Sequence, residues 1–261
     1  MSKLKYIASV SFGKDSLAML LMLLEKNCLL DEVIFYDTGA EFNSIYRIRD
    51  KVIPLLEERG ITFTELKSEY SFEFWMFDKE VKNRGKEGFH YGYSWCGNRC
   101  RWGTALKRDA FQKYLKGMDY KQYLGIAADE TKRIERNTKE INILPLVEWG
   151  ITEKECLDYC HNKGFFWIED NGLEIYDYFS RTSCFCCANK NLQDLRNMRQ
   201  YFPEYWNKLE EYQRRTSRPF KADASIFDLD ARFQLEEEWV SKGKSIRSKA
   251  FYTELKEVKK P

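Results

Sequence analysis

The feature that most restricts the fold is a repeated switch between two hydrophobic periods in the first quarter of the chain. Residues 6–10 are a short apolar run that stops at Ser11-Phe12-Gly13-Lys14-Asp15-Ser16, and residues 17–25 are strong helix formers. Residues 32–36 form a second β-rich run, stopped by Asp37-Thr38-Gly39. A helix is expected over about 44–59, ended by Gly60, and residues 61–66 read as a third strand. A helix between consecutive strands carries the chain back to start the next strand in the same direction. The expected fold is therefore α/β, a parallel sheet with helices on both faces. Ligands of such sheets collect at the carboxyl ends of the strands, where the polar loops 11–16 and 37–42 lie.

Residues 72–102 break this rhythm. They interleave Phe72, Phe74, Trp75, Phe89, Tyr91 and Trp95 with Lys79, Lys82, Arg84, Lys86, Arg99 and Arg101. Such aromatics are core or pocket lining more often than a stacking platform for nucleic acid. A helix is expected over 105–115, with residues 120–126 as a fourth strand running into Ala127-Ala128-Asp129-Glu130-Thr131. Residues 141–147 contain Pro145 and so suit an edge or loop-entry strand. Thr152 caps a helix to Lys163, with Glu155 completing a capping box. Residues 194–215 and 228–239 are helical in pattern. No internal repeat or low-complexity linker marks a boundary. The division is placed at 180, with an α/β nucleotide-binding domain over 1–180 and a Cys-bearing helical extension over 181–261.

The chain has 261 residues, of which 43% are hydrophobic and 16% aromatic, enough apolar surface to exclude disorder. The net charge of +2 does not by itself suggest a nucleic-acid partner. Only His90 and His161 are present, which argues against His-rich metal sites, whereas there are 8 Cys. Lys3 and Lys5 followed by an apolar stretch faintly mimic a signal peptide, but Lys14 and Asp15 interrupt it. No run approaches the roughly 20 apolar residues of a membrane helix. The expected setting is cytoplasmic, with no membrane partner and with thiols reduced, so clustered Cys suggest metal or redox chemistry.

Loop 11–16 joins a strand to a helix, where backbone N–H groups and the helix dipole favour an anion. Gly13 is expected to permit the tight turn, Ser11 and Ser16 to offer hydroxyls and Lys14 a point charge. Asp15 beside a phosphate makes sense as a loop-organising cap or through a bridging Mg²⁺. An ordinary strand-to-helix turn with an Asp cap has the same composition. Cys96 with Cys100 and Cys184 with Cys187 make a four-thiolate set of the kind that holds an iron–sulfur cluster or, alternatively, a structural Zn²⁺. Arg99, Arg101 and Arg181 would stabilise thiolates there. Cys186 is a spare thiol, and Cys28, Cys156 and Cys160 read as core residues on helices. Buried structural thiols are the competing reading throughout.

Six short segments in order give a family resemblance. Ser11-x-Gly13-x-Asp15-Ser16 resembles the pyrophosphate loop of the ATP-pyrophosphatase (PP-loop) superfamily in its phosphoadenosine phosphosulfate (PAPS) reductase branch. Asp37-Thr38-Gly39-x-x-Phe42, Gly125-Ile126-x-Ala128-Asp129-Glu130-Thr131 and Pro145-Leu146-x-x-Trp149 resemble later elements of that branch. So do Arg181-x-x-Cys184-x-x-Cys187 and Tyr201-Phe202-Pro203-Glu204-Tyr205. The resemblance implies an adenine nucleotide α-hydrolase fold with ATP or another adenine nucleotide as ligand. It implies phosphates on loop 11–16 with Phe12 and Gly13 in the loop, and adenosine beside Asp37, Thr38 and Gly39. Lys14, Asp15, Asp129, Glu130 and Arg133 would lie at the reactive end. Ala127 stands where the branch has Arg, and Arg133, Arg136 or Lys107 would have to make up for that guanidinium. Reductases of the branch pair two adjacent Cys with a distant C-x-x-C around a four-iron cluster, whereas the first pair here is C-x-x-x-C.

Three functions are expected to compete. The first is ATP-pyrophosphatase-type adenylation of an acceptor, coupled to sulfur transfer from a sulfur donor. The second is reduction of an adenylylated sulfate with a thioredoxin-like partner. That route uses a catalytic Cys near the C-terminus, and no Cys follows Cys187, so an external or non-tail thiol would be required. The third is a nucleic-acid-binding module using residues 72–102 and the basic tail from Ser241, which is otherwise a solvated helix.

Overall fold

The computed structural model of the chain describes residues 4–96 and 100–258; Lys3, Arg99, Lys259 and Lys260, named for their charge, lie outside the described residues. In chain order the elements begin with β1 (Lys5–Val10), α1 (Lys14–Glu25), β2 (Glu32–Asp37), α2 (Asn43–Glu57) and β3 (Thr62–Lys67). A hairpin of β4 (Glu80–Lys82) and β5 (Phe89–Tyr91) precedes α3 (Leu106–Tyr114), β6 (Tyr120–Leu124) and α4 (Thr131–Ile134). Next come β7 (Asn142–Ile143), α5 (Pro145–Glu148) and α6 (Glu153–Asn162). The chain closes with α7 (Leu192–Tyr201), α8 (Pro203–Arg214), α9 (Ile226–Ser241) and α10 (Lys249–Val258).

The residues divide into two units. The first holds the chain up to Phe72 together with Gly103–Phe185; the second holds Glu73–Trp102 and the chain from Cys186 onward. The aromatic–basic stretch thus groups with the C-terminal helices, a relation that a boundary drawn at a single point in the sequence cannot express.

In the first unit five strands form one sheet in the order β3-β2-β1-β6-β7, and every neighbouring pair is parallel. Sequential strands step outward from β1 to β3, then the chain returns to lay β6 on the other side of β1. Right-handed crossovers in opposite directions put their helices on opposite faces. One face is closed by α3, whose Phe111 and Tyr114, with Leu115 just beyond it, pack over Ile7 and Ile34. Helix α1 is buried from Ser16 to Leu24 because it packs against α6 as well as β1. Strand β2 is buried along Glu32–Tyr36, as expected of a central strand covered on both faces. Strand β7 is the edge foreseen from Pro145, but it ends at Ile143, and Pro145 instead occupies the first turn of α5, where its missing N–H costs nothing. The capping box of Thr152 and Glu155 forms as expected.

The second unit corrects two readings. The single helix expected over 194–215 is two, α7 and α8, because Pro203 cannot continue α7 and starts α8 instead. The basic tail, expected to be a solvated helix if it does not bind nucleic acid, does form a helix but one with a buried face: α10 packs Phe251 and Leu255 against Leu235 and Trp239 of α9. Of the aromatics in 73–102, Trp95 is core, edge-on to Phe220 at 4.9 Å with its indole N–H donating to Gln213 Oε1 at 3.2 Å. Phe89 and Tyr91 of β5 are the exposed exceptions. In the first unit, Cys28 follows α1 rather than lying on it, because Asn27 adopts φ 51° and ends the helix.

Candidate functional site

The order of the sheet reverses between β1 and β6, so their carboxyl ends splay into a crevice, the usual ligand position of an open α/β sheet. Loop 11–16 leaves β1 there. Ser11 N donates to Ser16 Oγ at 3.1 Å and Ser16 Oγ to Gly13 O at 3.1 Å, folding the loop on itself. Gly13 at the N-cap of α1 makes no side-chain cap, which leaves first-turn amides beyond that of Lys14 available to an anion. The tight turn is not made by Gly13, whose φ is an ordinary −74°; Phe12 takes φ 57° and buries its ring against Phe35. Gly13 is needed for close approach: a Cβ there would lie 2.8 Å from Thr182 Oγ1 and 3.3 Å from Tyr176 OH. Tyr176 OH accepts the Lys14 N–H at 2.8 Å, pinning the loop to the segment after α6.

Beside the loop lies a balanced charge cluster. Lys14 Nζ is buried and donates to Asp15 Oδ1 at 2.6 Å and Glu153 Oε2 at 3.2 Å. Glu130 accepts Arg133 Nη1 at 2.6 and 2.8 Å and Arg181 Nη2 at 2.5 Å, and Arg181 also reaches Glu153 at 3.1 Å. Ligand oxygens of Asp15, Glu130 and Glu153 all lie within 4.8 Å of one another. Burial pushes the Asp15 carboxyl above its usual range despite Lys14 beside it. Burial acts the same way on Glu153, but the Lys14 and Arg181 ion pairs outweigh it and hold that carboxyl low. Asp15 is therefore not a helix cap, which removes one of its two expected roles. Ala127, buried, donates its N–H to Glu130 Oε2 at 3.3 Å. The guanidiniums at this point come from Arg133 and Arg181. Asp129 points elsewhere: it is exposed and accepts the Glu153 N–H at 3.0 Å.

The second polar loop lies at the carboxyl end of β2. Asp37 Oδ1 accepts from Gly39 N at 2.8 Å and from Tyr46 OH at 2.7 Å, so it shapes the turn in which Gly39 takes φ 72°. Thr38 Oγ1 donates to Glu41 Oε1 at 2.7 Å and sits 3.4 Å from Cys184 Sγ. Burial raises the Glu41 pKa and lowers that of Lys107, and each feels the other's charge. Sequence reasoning missed Glu41, Glu153 and Tyr176. The first lies inside the Asp37–Phe42 motif and was within reach; Glu153 read only as the first residue after a cap, and nothing local distinguishes Tyr176.

The cysteines separate by environment. Cys156 and Cys160 face α1 from α6, with Cys160 Sγ donating to Lys14 O at 3.5 Å; burial raises both, Cys156 to about 12, so they are inert thiols. Cys96 is lowered to about 7, chiefly by a hydrogen bond from Cys100. Cys184 belongs to the first unit, and Cys96, Cys100, Cys186 and Cys187 to the second.

Residues 5–165 match the phosphoadenosine phosphosulfate reductase domain. The match contains both polar loops, Gly125–Thr131 and the Cys96/Cys100 pair, and stops before Arg181, Cys184 and Cys187. An uncharacterized protein of Methanocaldococcus jannaschii is 26% identical over 258 residues, covering 92% of this chain and 46% of its own length, so the chain spans about half of that relative. A solved structure, the U34-tRNA thiolase NcsA from Methanococcus maripaludis with its 4Fe-4S cluster, aligns over 82% of this chain and 72% of its own at 17% identity and TM-score 0.41. At that distance no residue role is transferred from it. No helix among the described residues is long and apolar enough to cross a membrane. The domain match over more than half of the chain, on a parallel sheet whose switch point carries the loop, makes this chain a member of the PAPS reductase family of the PP-loop superfamily.

Proposed function

We propose that the chain adenylates an acceptor with ATP, releasing pyrophosphate, and that sulfur then displaces AMP from the activated acceptor. The observation that carries this reading is the start of α1 at the β1/β6 switch point, its N-cap a glycine, with Asp15, Glu130 and Glu153 gathered beside it. An acceptor oxygen attacks the α-phosphorus, the bond to the bridging oxygen of the β-phosphate breaks, and pyrophosphate leaves with the electron pair. Amides of loop 11–16 bind the departing phosphates, and Lys14 shifts from its carboxylate partners towards the new negative charge. Hard oxygen donors at this spacing suit Mg²⁺, which supplies charge neutralisation on the phosphates when bound. Asp15, Glu130 and Glu153 would hold the ion, and Arg133 and Arg181, which pair with Glu130, are the guanidiniums within reach of a phosphate there.

Cys96, Cys100 and Cys187, all of the second unit, are the residues that would supply thiolates to an iron–sulfur cluster or zinc, as their motifs imply. A sulfur donor would deliver to that centre. The test is conversion of α-labelled ATP to labelled AMP with pyrophosphate in the presence of acceptor. Failure to bind any adenine nucleotide eliminates the reading.

A second reading draws on Cys184, a thiol among Thr38, Glu41 and Lys107. Its thiolate would attack the sulfur of an adenylylated sulfate, forming a thiosulfonate while the nucleotide phosphate leaves. A thioredoxin-like thiol would then release sulfite and take up the disulfide. Sulfite formed from PAPS or its unphosphorylated analogue, and lost in Cys184→Ala, would establish this route.

A further inference from the structure

Helix α3 covers β1 to β3 but leaves part of its face of β6 and β7 open. There the first unit holds a cavity of about 500 Å³, wholly within that unit. That volume lies in the range that takes a small ligand. Its walls are apolar and aromatic, from Leu124, Ile141, Phe111 and Tyr120. Lys107, Arg108, Arg136 and Lys139 also line it, and none of its lining residues is acidic. Arg136 and Lys139 have no carboxylate partner among the described residues, and Arg108 has only its neighbour Asp109. Arg136 and Lys139 add positive charge that no carboxylate among the described residues offsets, on a wall already carrying Lys107 and Arg108, so the cavity favours an anion. The amide side chains of Gln112 and Gln122 add donors and acceptors of the kind that read base edges.

Two residues connect this cavity to the site above. Lys107 lines it and also faces Glu41 and Cys184. Ser9 lines it two residues before the loop begins at Ser11. We infer that the cavity between α3, β6 and β7 seats the acceptor, and that the acceptor is a nucleotide, its base against the apolar wall and its phosphate on Arg108, Arg136 and Lys139. This deepens the adenylation reading and rests on it for the word acceptor, while the binding site itself does not. Either a free nucleotide or one nucleotide of a single strand offers this chemistry.

The test uses the full chain and the double variant Arg108→Glu, Lys139→Glu, both exposed residues outside the charge cluster. Binding of fluorescein-labelled single-stranded RNA is followed by anisotropy, with UMP as competitor, and a non-hydrolysable ATP analogue is titrated separately. The expected result is binding by the natural chain, weakened by about tenfold or more in the variant. The slope of log K against log salt falls by roughly 0.7 for each phosphate that the variant no longer neutralises. The ATP analogue binds both proteins equally and does not displace RNA. Displacement of RNA by UMP at matching affinity assigns the site to a free nucleotide; weak displacement assigns it to a strand. Undiminished binding by the variant, competition by the ATP analogue, or no binding of either probe overturns the proposal. RNA binding without ATP-analogue binding removes the adenylation reading and leaves the cavity as a nucleotide site.

Discussion

Gly125, the first residue after β6, is pressed against Ser16 of α1: a Cβ on Gly125 would lie 2.6 Å from Ser16 Cα and 2.9 Å from Ser16 N. An approach this close ties the exit of β6 to the first turn of α1, and so couples the loop that ends β1 to Glu130 five residues on.

Gly125→Ala is expected to push α1 away from β6 and to cost about 1–3 kcal/mol, the usual range for overpacking. It should also lower nucleotide affinity. Gly60→Ala is the control, since no atom lies within 4 Å of its added Cβ although φ is +65°; its cost should stay near 1 kcal/mol. Thermal denaturation and ATP titration of both variants check this, and equal behaviour would mean that the close approach does not position the loop.

Asp15→Asn should stabilise the free protein while abolishing Mg²⁺-dependent nucleotide binding. The folded protein holds the Asp15 proton more tightly than the unfolded chain does, mainly because the carboxyl is buried. That contribution is fully present below the ordinary value of 3.8 and is lost as pH rises through the raised folded value. At neutral pH the ionised carboxylate is a cost, which Asn removes. A rise in Tm of up to about 3 °C is expected at pH 7, shrinking or reversing near pH 3. Glu153→Gln should do the opposite at pH 7, because its pairs with Lys14 and Arg181 hold its pKa low and stabilise the ionised form.

Tyr176→Phe leaves the Lys14 N–H without its acceptor. The expected loss is about 1–2 kcal/mol, the cost of an unpaired part-buried donor. Because that amide belongs to the loop, the dissociation constant for ATP should rise along with the fall in Tm. A fall in Tm with unchanged ATP affinity would show that Tyr176 merely braces the fold.

Thiol reactivity should sort the cysteines. In chelator-treated protein, iodoacetamide modification of Cys96 should rise through about pH 7, well below the ordinary thiol value of 9.0. Cys156 and Cys160 should stay unmodified until the protein unfolds. Anaerobically purified Cys96→Ser and Cys187→Ala should lose bound iron or zinc, and Cys156→Ala should keep it. Mass spectrometry and elemental analysis read both outcomes.

Local rules in the sequence determined the alternation of strand and helix, the positions of the two polar loops, the capping box at Thr152 and the inert character of Cys156 and Cys160. Each follows from side-chain period, capping chemistry or burial on one helix, which neighbouring residues specify. Family membership was legible for the same reason, since its motifs are short and lie in order. Only the tertiary structure decided which charges meet. Lys14, Asp15, Glu130, Glu153 and Arg181 come from four separate segments, and their pairing depends on how β6 and α6 dock beside α1. The positive φ at Phe12 rather than Gly13 was likewise decided by packing. The buried ring of Phe12 compensates for the backbone cost, while Tyr176 and Thr182 claim the space that a side chain at position 13 would fill.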